Sequence, residues 1–195
     1  MEGRWMIYEK MASRRTIRKY LQKDVPQEVL TKCVDAARLS PCAANLQPLR
    51  YVIINDKELR KDVFSTLKWA ASVPEYRPNE KEMPAAYIVI LLDKNIRKDV
   101  GHDAGIAAMS ICMVASDAGL GSCILGSVDR ERLREILNVP DNLDIIVVVS
   151  LGYAADKPVV DTVKNDDTRY WLDENKTLHV PKRSLESIVK WNRYQ

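Results

Sequence analysis

Between Gly101 and Ala118 the chain predicts a helix with almost no polar face: Ala104, Ile106, Ala107, Ala108, Met109, Ile111, Cys112, Met113, Val114 and Ala115 fill most of the stretch. A helix that is apolar all round has no face to give to water, so it belongs inside a core or an interface. Its many alanines allow another helix to approach closely, which suits the core of a dimer. The methionines read as packing. At 195 residues, 46% of them hydrophobic, the chain is long enough for one domain with a real core and not comfortably for two.

Around this helix the pattern alternates. Residues 5–12 predict a short helix. Asp24-Val-Pro-Gln27 predicts a helix start, with Asp24 as the cap, and apolar residues recur at helical spacing to about Leu39. Arg50–Ile54 reads as a strand, Asp56–Leu67 as a helix, and Ala85–Leu92 as a continuously apolar, buried strand. Asp129 caps a helix to Leu137, Pro140 stops it, and Leu143–Leu151 forms a third apolar strand. Residues 69–84, with two internal prolines and mixed charge, suit a loop or lid. Residues 153–180 are polar and irregular, an arm of the sort that wraps a partner, and Ser184 can cap a last helix to about Arg193.

Several function classes fall away on composition. The net charge of +3, from 30 basic and 27 acidic side chains, is too mild for nucleic acid as the main partner. The four cysteines (Cys33, Cys42, Cys112, Cys123) form no CxxC pair, and two histidines are too few for a histidine-based metal site. The thiols read as buried small hydrophobes in a reducing compartment. The start of the chain lacks the apolar run of a signal peptide, and the longest apolar runs are far too short to span a bilayer. A cytoplasmic protein without a membrane segment is expected.

Three stretches carry chemistry. Arg14-Arg15-Thr16-Ile17-Arg18 places three cations and a hydroxyl within five residues. Guanidinium forks match phosphate oxygens and stay charged at any working pH. The stretch is either an anion site, most simply for a nucleotide phosphate, or a solvated basic patch. Ser40-Pro41-Cys42-Ala43-Ala44-Asn45-Leu46-Gln47-Pro48 combines small side chains with two amides. It is either a loop that meets a heterocycle edge or a plain helix-to-strand connection. Gly119-Leu-Gly121-Ser-Cys-Ile-Leu-Gly126 caps the apolar helix and suggests backbone amides brought against something flat. Near the end, Lys182 and Arg183 make a second basic pair just before a helix start, where the dipole also favours an anion.

The order of these motifs resembles the FMN-dependent nitroreductase family over roughly residues 10–192. Ser-Arg-Arg-Thr-Ile-Arg resembles its opening motif, and Ser-Pro-Cys-Ala-Ala-Asn-Leu-Gln-Pro its loop of small residues with Asn and Gln-Pro. Asp103-Ala-Gly-Ile-Ala-Ala with Gly119-Leu-Gly-Ser-Cys is similar to its central helix and flavin-facing turn. Pro181-Lys-Arg-Ser-Leu-Glu is similar to its closing motif. The resemblance implies a single α+β domain, a mostly antiparallel central sheet flanked by helices, in an intertwined homodimer with FMN at the subunit interface. Residues 153–180 would then be an arm extended to the partner subunit. It further implies that Arg14, Arg15 and Thr16 grip the phosphate together with Lys182 and Arg183, and that Arg18 lies beside the flavin pyrimidine ring. Pro41, Cys42, Ala43, Asn45 and Gln47 would reach the flavin of the opposite subunit, and Ile124, Leu125 and Gly126 would face N5 and the C4 oxygen. Two departures stand out. Only Asp93–Val100 separates the second strand from the central helix, where many members carry an insertion, and Cys42 stands where the family often has Ser.

The activity implied is ping-pong oxidoreduction. NADH or NADPH delivers hydride and leaves, and a small electron-poor acceptor such as a nitroaromatic or quinone takes its place. The flavin carries the chemistry, so no side chain need be an obligatory acid or base; Arg18 acts electrostatically. Reductive dehalogenation, flavin fragmentation and flavin binding without turnover are the alternatives on the same fold.

Overall fold

A computed structural model describes residues 5–194. Four antiparallel strands form its centre: β1 (Leu49–Ile54), β2 (Ala86–Asp93), β3 (Gly121–Leu125) and β4 (Leu143–Gly152), in the spatial order β1-β2-β4-β3. β2 is buried along almost its whole length, as its unbroken apolar run predicts. Alternate residues go to opposite faces: Tyr87, Val89 and Leu91 join one apolar cluster, Ala86, Ile88 and Ile90 the other. β4 changes parity part-way. Ile90 faces Val147 while Leu91 faces Ile145, so Ile146 is an extra residue, and Ile145 and Val148 reach the same face.

Helices cover both faces. α2 (Gln27–Leu39) and α4 (Asp103–Asp117) pack on one, through Leu30, Cys33, Ala37 and Ala104, Ala107, Ala108, Ile111, Ala115. α3 (Lys57–Ser65) and α5 (Arg130–Leu137) pack on the other through Val63, Phe64 and Leu133. Local chemistry sets their ends. Asp56 accepts from the backbone of Glu58 and Leu59, Asp129 accepts from Arg132, and Asn138 stops α5 in the left-handed conformation at φ 49°. α1 (Met6–Ser13) buries none of its side chains.

Four expectations need correction. Pro26, not Asp24, stands at the start of α2, and no side chain caps it, because Asp24 is drawn to Lys57 and Arg60 instead. The glycine-rich stretch after α4 is not only a turn: residues 121–125 pair with β4 as the strand at one edge of the sheet. The stretch 153–180 is not irregular. It holds β5 (Val159–Thr162), β6 (Trp171–Leu172) and part of β7 (Leu178–Lys182), a separate three-stranded sheet that folds back on its own chain, with Leu178 buried in the first cluster. The last helix is a single turn, α6 (Leu185–Ile188), because the residues beyond it bury no apolar face; Trp191 and Tyr194 stand exposed.

The segment between α1 and α2 runs beside this sheet. Thr16 bridges Ser122 and Tyr20 bridges Ala154. It lies close because Gly121 and Gly152 have no Cβ: one built on Gly121 would lie 2.6 Å from Ile17 Cγ1, and one on Gly152 would lie 2.8 Å from Tyr20 Cδ1. Gly121→Ala is therefore expected to destabilise the fold by about 1–3 kcal/mol, read from the midpoint of urea unfolding. An unchanged midpoint would mean that Ile17 moves aside freely.

Candidate flavin site

The basic segment is held extended by hydrogen bonds at both ends. The Ile17 N–H donates to the Ser122 carbonyl at 2.9 Å, and the Leu21 N–H donates to the Tyr153 carbonyl at 2.8 Å. Tyr20 locks it from below. Its hydroxyl bonds the Ile17 carbonyl at 2.7 Å and Ser150 Oγ at 2.8 Å in a fully buried position, and burial raises its pKa well above the ordinary phenol value. The arginines thus stand on a braced strand.

A cavity of about 370 Å³ opens beside that strand, lined by Arg14, Arg15, Gly121, Asp156, Lys157 and Pro158 among others. Three cations face one carboxylate. Arg15 is satisfied locally, by the carbonyls of Ala12 and Arg14. Arg14 is not: its Nε is buried without a hydrogen-bond partner. An orphaned guanidinium nitrogen in a cationic cavity is chemically matched to an anion such as a phosphate. Lys157 was not expected here. It lies in the polar arm, and only the fold-back of that arm brings it to Arg14.

Arg18 sits under a different set of groups. Its guanidinium carbon lies 5.2 Å from the Tyr170 ring centroid. It is also close enough to Asp156 to hold that carboxyl down electrostatically. Asp156 is nonetheless raised, chiefly by burial; the Tyr76 hydroxyl that donates to it and Arg18 offset only part. Burial, then this same bond, raises Tyr76 in turn. Tyr76 belongs to the 69–84 stretch, in the 3-10 turn Pro74–Tyr76, and is itself buried.

The Pro41–Gln47 loop forms a second half-site. The Cys42 thiol donates to Asp103 Oδ2 at 3.1 Å, and the Ala43 N–H donates to Asp103 Oδ1 at 3.2 Å. Arg97 lies 3.5 Å from the same carboxylate. Asp103, at the start of α4, thus pins the loop to the central helix. Ala44, Asn45 and Gln47 all adopt positive φ, at 50°, 53° and 52°. The Gln47 amide donates to Asn45 Oδ1 at 3.3 Å, so these two amides form one exposed polar unit. Pro41, Cys42 and Gln47 line a groove of about 350 Å³ with Tyr51 and Asp103.

Ile124 and Leu125 end β3. Ile124 is exposed, Leu125 is buried, and the carbonyl of Gly126 accepts from Arg130 at 3.0 Å. The side chain of Ile124 and the backbone through Gly126 are what this stretch offers a ligand. Lys182 and Arg183 do not line the Arg14 cavity. Lys182 ends β7, opposite Thr162, and Arg183 pairs with Asp166 at 2.5 Å. The loop residues likewise line a groove separate from that cavity. No cluster able to hold a metal ion exists among the described residues.

The thiols differ in reach. Burial pushes Cys33 and Cys123 up to about 11, so both are neutral at working pH, and Cys112 is buried and raised by the same cause. Cys42 alone is partly exposed. Alkylation of the native protein at pH 8 should label at most one thiol per chain, Cys42, with the remainder reacting only on unfolding; mass spectrometry reads the count.

Comparison with known proteins places the chain in a family. The family model described as Nitroreductase family matches residues 11–153. An Archaeoglobus fulgidus protein provisionally named NADH dehydrogenase/NAD(P)H nitroreductase is 32% identical over 160 residues, 78% of this chain and 85% of that protein. An iodotyrosine deiodinase of Nematostella vectensis is 27% identical, over 76% of this chain and 67% of its own length. A solved FMN-dependent nitroreductase of Clostridium difficile superposes with a TM-score of 0.68 at 26% identity, covering 95% of this chain and 98% of that one.

Proposed function

The chain belongs to the nitroreductase family, and on that premise we propose that Arg14, Arg15 and Thr16 hold the phosphate of its FMN while Arg18 stands beside the flavin ring. The protein is an FMN-dependent NAD(P)H oxidoreductase. The observation that supports the phosphate assignment is the buried, partnerless Arg14 Nε in a cavity with three cations. When bound, FMN accepts hydride from NADH or NADPH and passes electrons to the acceptor. The protein's part is placement and charge. Arg14 and Arg15 neutralise the phosphate, and the braced strand from Arg14 to Tyr20 fixes Arg18. The exposed Asn45–Gln47 amide unit offers donors and acceptors to a flat heterocycle.

The two half-sites lie in separate cavities of one chain, which favours a homodimer in which each flavin takes the Arg14 strand of one subunit and the Pro41–Gln47 loop of the other. Uncovered apolar surface points the same way. Met6, Ile7, Tyr8 and Met11 on α1 are exposed, as are Ile106 on α4 and Leu185, Ile188 and Trp191 near the end of the chain. Two half-buried methionines, Met109 and Met113, continue the open face of α4. The all-round apolar character of α4 thus serves two partners, its own sheet and a second copy. Small electron-poor rings are the fitting acceptors. No helix among the described residues is long and apolar enough to cross a membrane.

The test is the absorption spectrum of the purified protein, followed by anaerobic NADH and then NADPH. A flavin spectrum that bleaches is expected, and the faster donor is the preferred one. A colourless protein that takes up no added FMN would refute the phosphate assignment. The deiodinase relative supports a second reading, reductive removal of iodide from an aromatic ring, which iodide release from an iodinated phenol under the same conditions would reveal.

A further inference from the structure

We propose that Tyr170 is a positioning residue for Arg18: its ring holds the guanidinium by one face, so that the edge donors stay directed toward the flavin rather than toward Asp156. The proposal rests on the reading of Arg18 as the flavin-side cation. An arginine side chain has many rotamers, and two features compete for this one. Asp156 is close enough to Arg18 for its carboxyl to feel the charge, and a direct ion pair would consume the in-plane donors and offset that charge. The Tyr170 ring, 5.2 Å away from the guanidinium carbon, attracts the cation through its face instead. A cation–π contact, unlike an ion pair, does not tie the guanidinium donors to a carboxylate, so they stay available to an acceptor.

The ring is itself held. Tyr170 precedes β6 and packs against the first core cluster. Its hydroxyl accepts the Ser72 N–H at 3.3 Å, from the stretch that also supplies Tyr76. Tyr76 in turn donates to Asp156, occupying part of the carboxylate that would otherwise compete for Arg18. Tyr170 thus takes the cation while Tyr76 takes the carboxylate that competes for it. None of Asp156, Tyr76 or Tyr170 belongs to the sequence motifs that mark the site.

The test uses the FMN-loaded protein and reads the two-electron midpoint potential of the bound flavin, alongside its visible spectrum as a check on loading. Tyr170→Leu is expected to lower the preference for reduced over oxidised flavin about tenfold, which is about 30 mV for a two-electron couple. Tyr170→Phe, which keeps the ring and loses only the hydroxyl, should retain the parent potential. In an Arg18→Ala background, Tyr170→Leu should add no further shift. An unmoved potential in Tyr170→Leu would overturn the proposal. So would an equal shift in the Arg18→Ala background, which would mean that the ring acts on the flavin directly. A Tyr170→Phe variant that behaves like Tyr170→Leu would transfer the role to the hydroxyl and also overturn it. If Arg18→Ala alone leaves the potential unmoved, the underlying reading of Arg18 fails, and the proposal with it.

Discussion

Arg18→Ala is expected to slow reduction of the bound flavin by NAD(P)H roughly a hundredfold while changing FMN affinity far less. The reason lies in when the cation matters. The oxidised flavin ring is neutral, so a neighbouring guanidinium adds little to holding it; two-electron reduction places negative charge on the pyrimidine side, and a fixed cation is then worth most. Arg14 and Arg15, in the phosphate role proposed for them, would face the opposite case, since a phosphate is charged throughout. Stopped-flow reduction and equilibrium FMN titration on the same variant separate the two effects. A parallel fall in rate and affinity would reassign Arg18 to simple binding.

The largest effect on stability is expected from Tyr20→Ala, about 3–5 kcal/mol by analogy with other buried aromatic truncations. Tyr20 is 1% exposed and wedges between the extended basic segment and the sheet, over the bare backbone of Gly152. Its removal leaves a cavity and strips hydrogen bonds from the Ile17 carbonyl and Ser150 Oγ. Tyr20→Phe keeps the ring and should cost only about 1–3 kcal/mol, the penalty for unpaired buried polar atoms. Urea unfolding of both variants gives the two costs separately. Equal costs would show that the hydroxyl, and not the ring, anchors the segment.

Whether an element was legible in the sequence depended on where its stabilising contacts come from. α4 and β2 announce themselves because burial on several sides demands an unbroken apolar run, and α5 because Asp129 and Pro140 bound it. β3 has only five residues and begins with glycine. Gly121, one of the glycines that suggested a turn, is what admits Ile17 against the strand. β5, β6 and β7 are short and largely exposed, and their pairing partners lie up to twenty residues apart along the chain. No local pattern encodes such a sheet. For the candidate site, Arg14, Arg18 and Cys42 could be singled out in the sequence because their motifs are local. Asp156, Lys157 and Tyr170 were not, since each acquires its neighbours only when the arm folds back.

The basic segment is also the part of the chain that waits longest for its surroundings. Its backbone is fixed by residues about a hundred or more positions downstream, Ser122, Tyr153 and Ala155; the Ala155 N–H donates to the Lys19 carbonyl at 2.9 Å. At about 5–20 residues per second, a ribosome needs roughly ten seconds or more to reach those partners. Until then the arginines ride on a segment whose backbone has none of these partners. On the proposed assignment, flavin capture is thereby deferred until β4 and the residues just after it have been made, and a chain cut short before β4 lacks the partners that brace Arg14 to Tyr20.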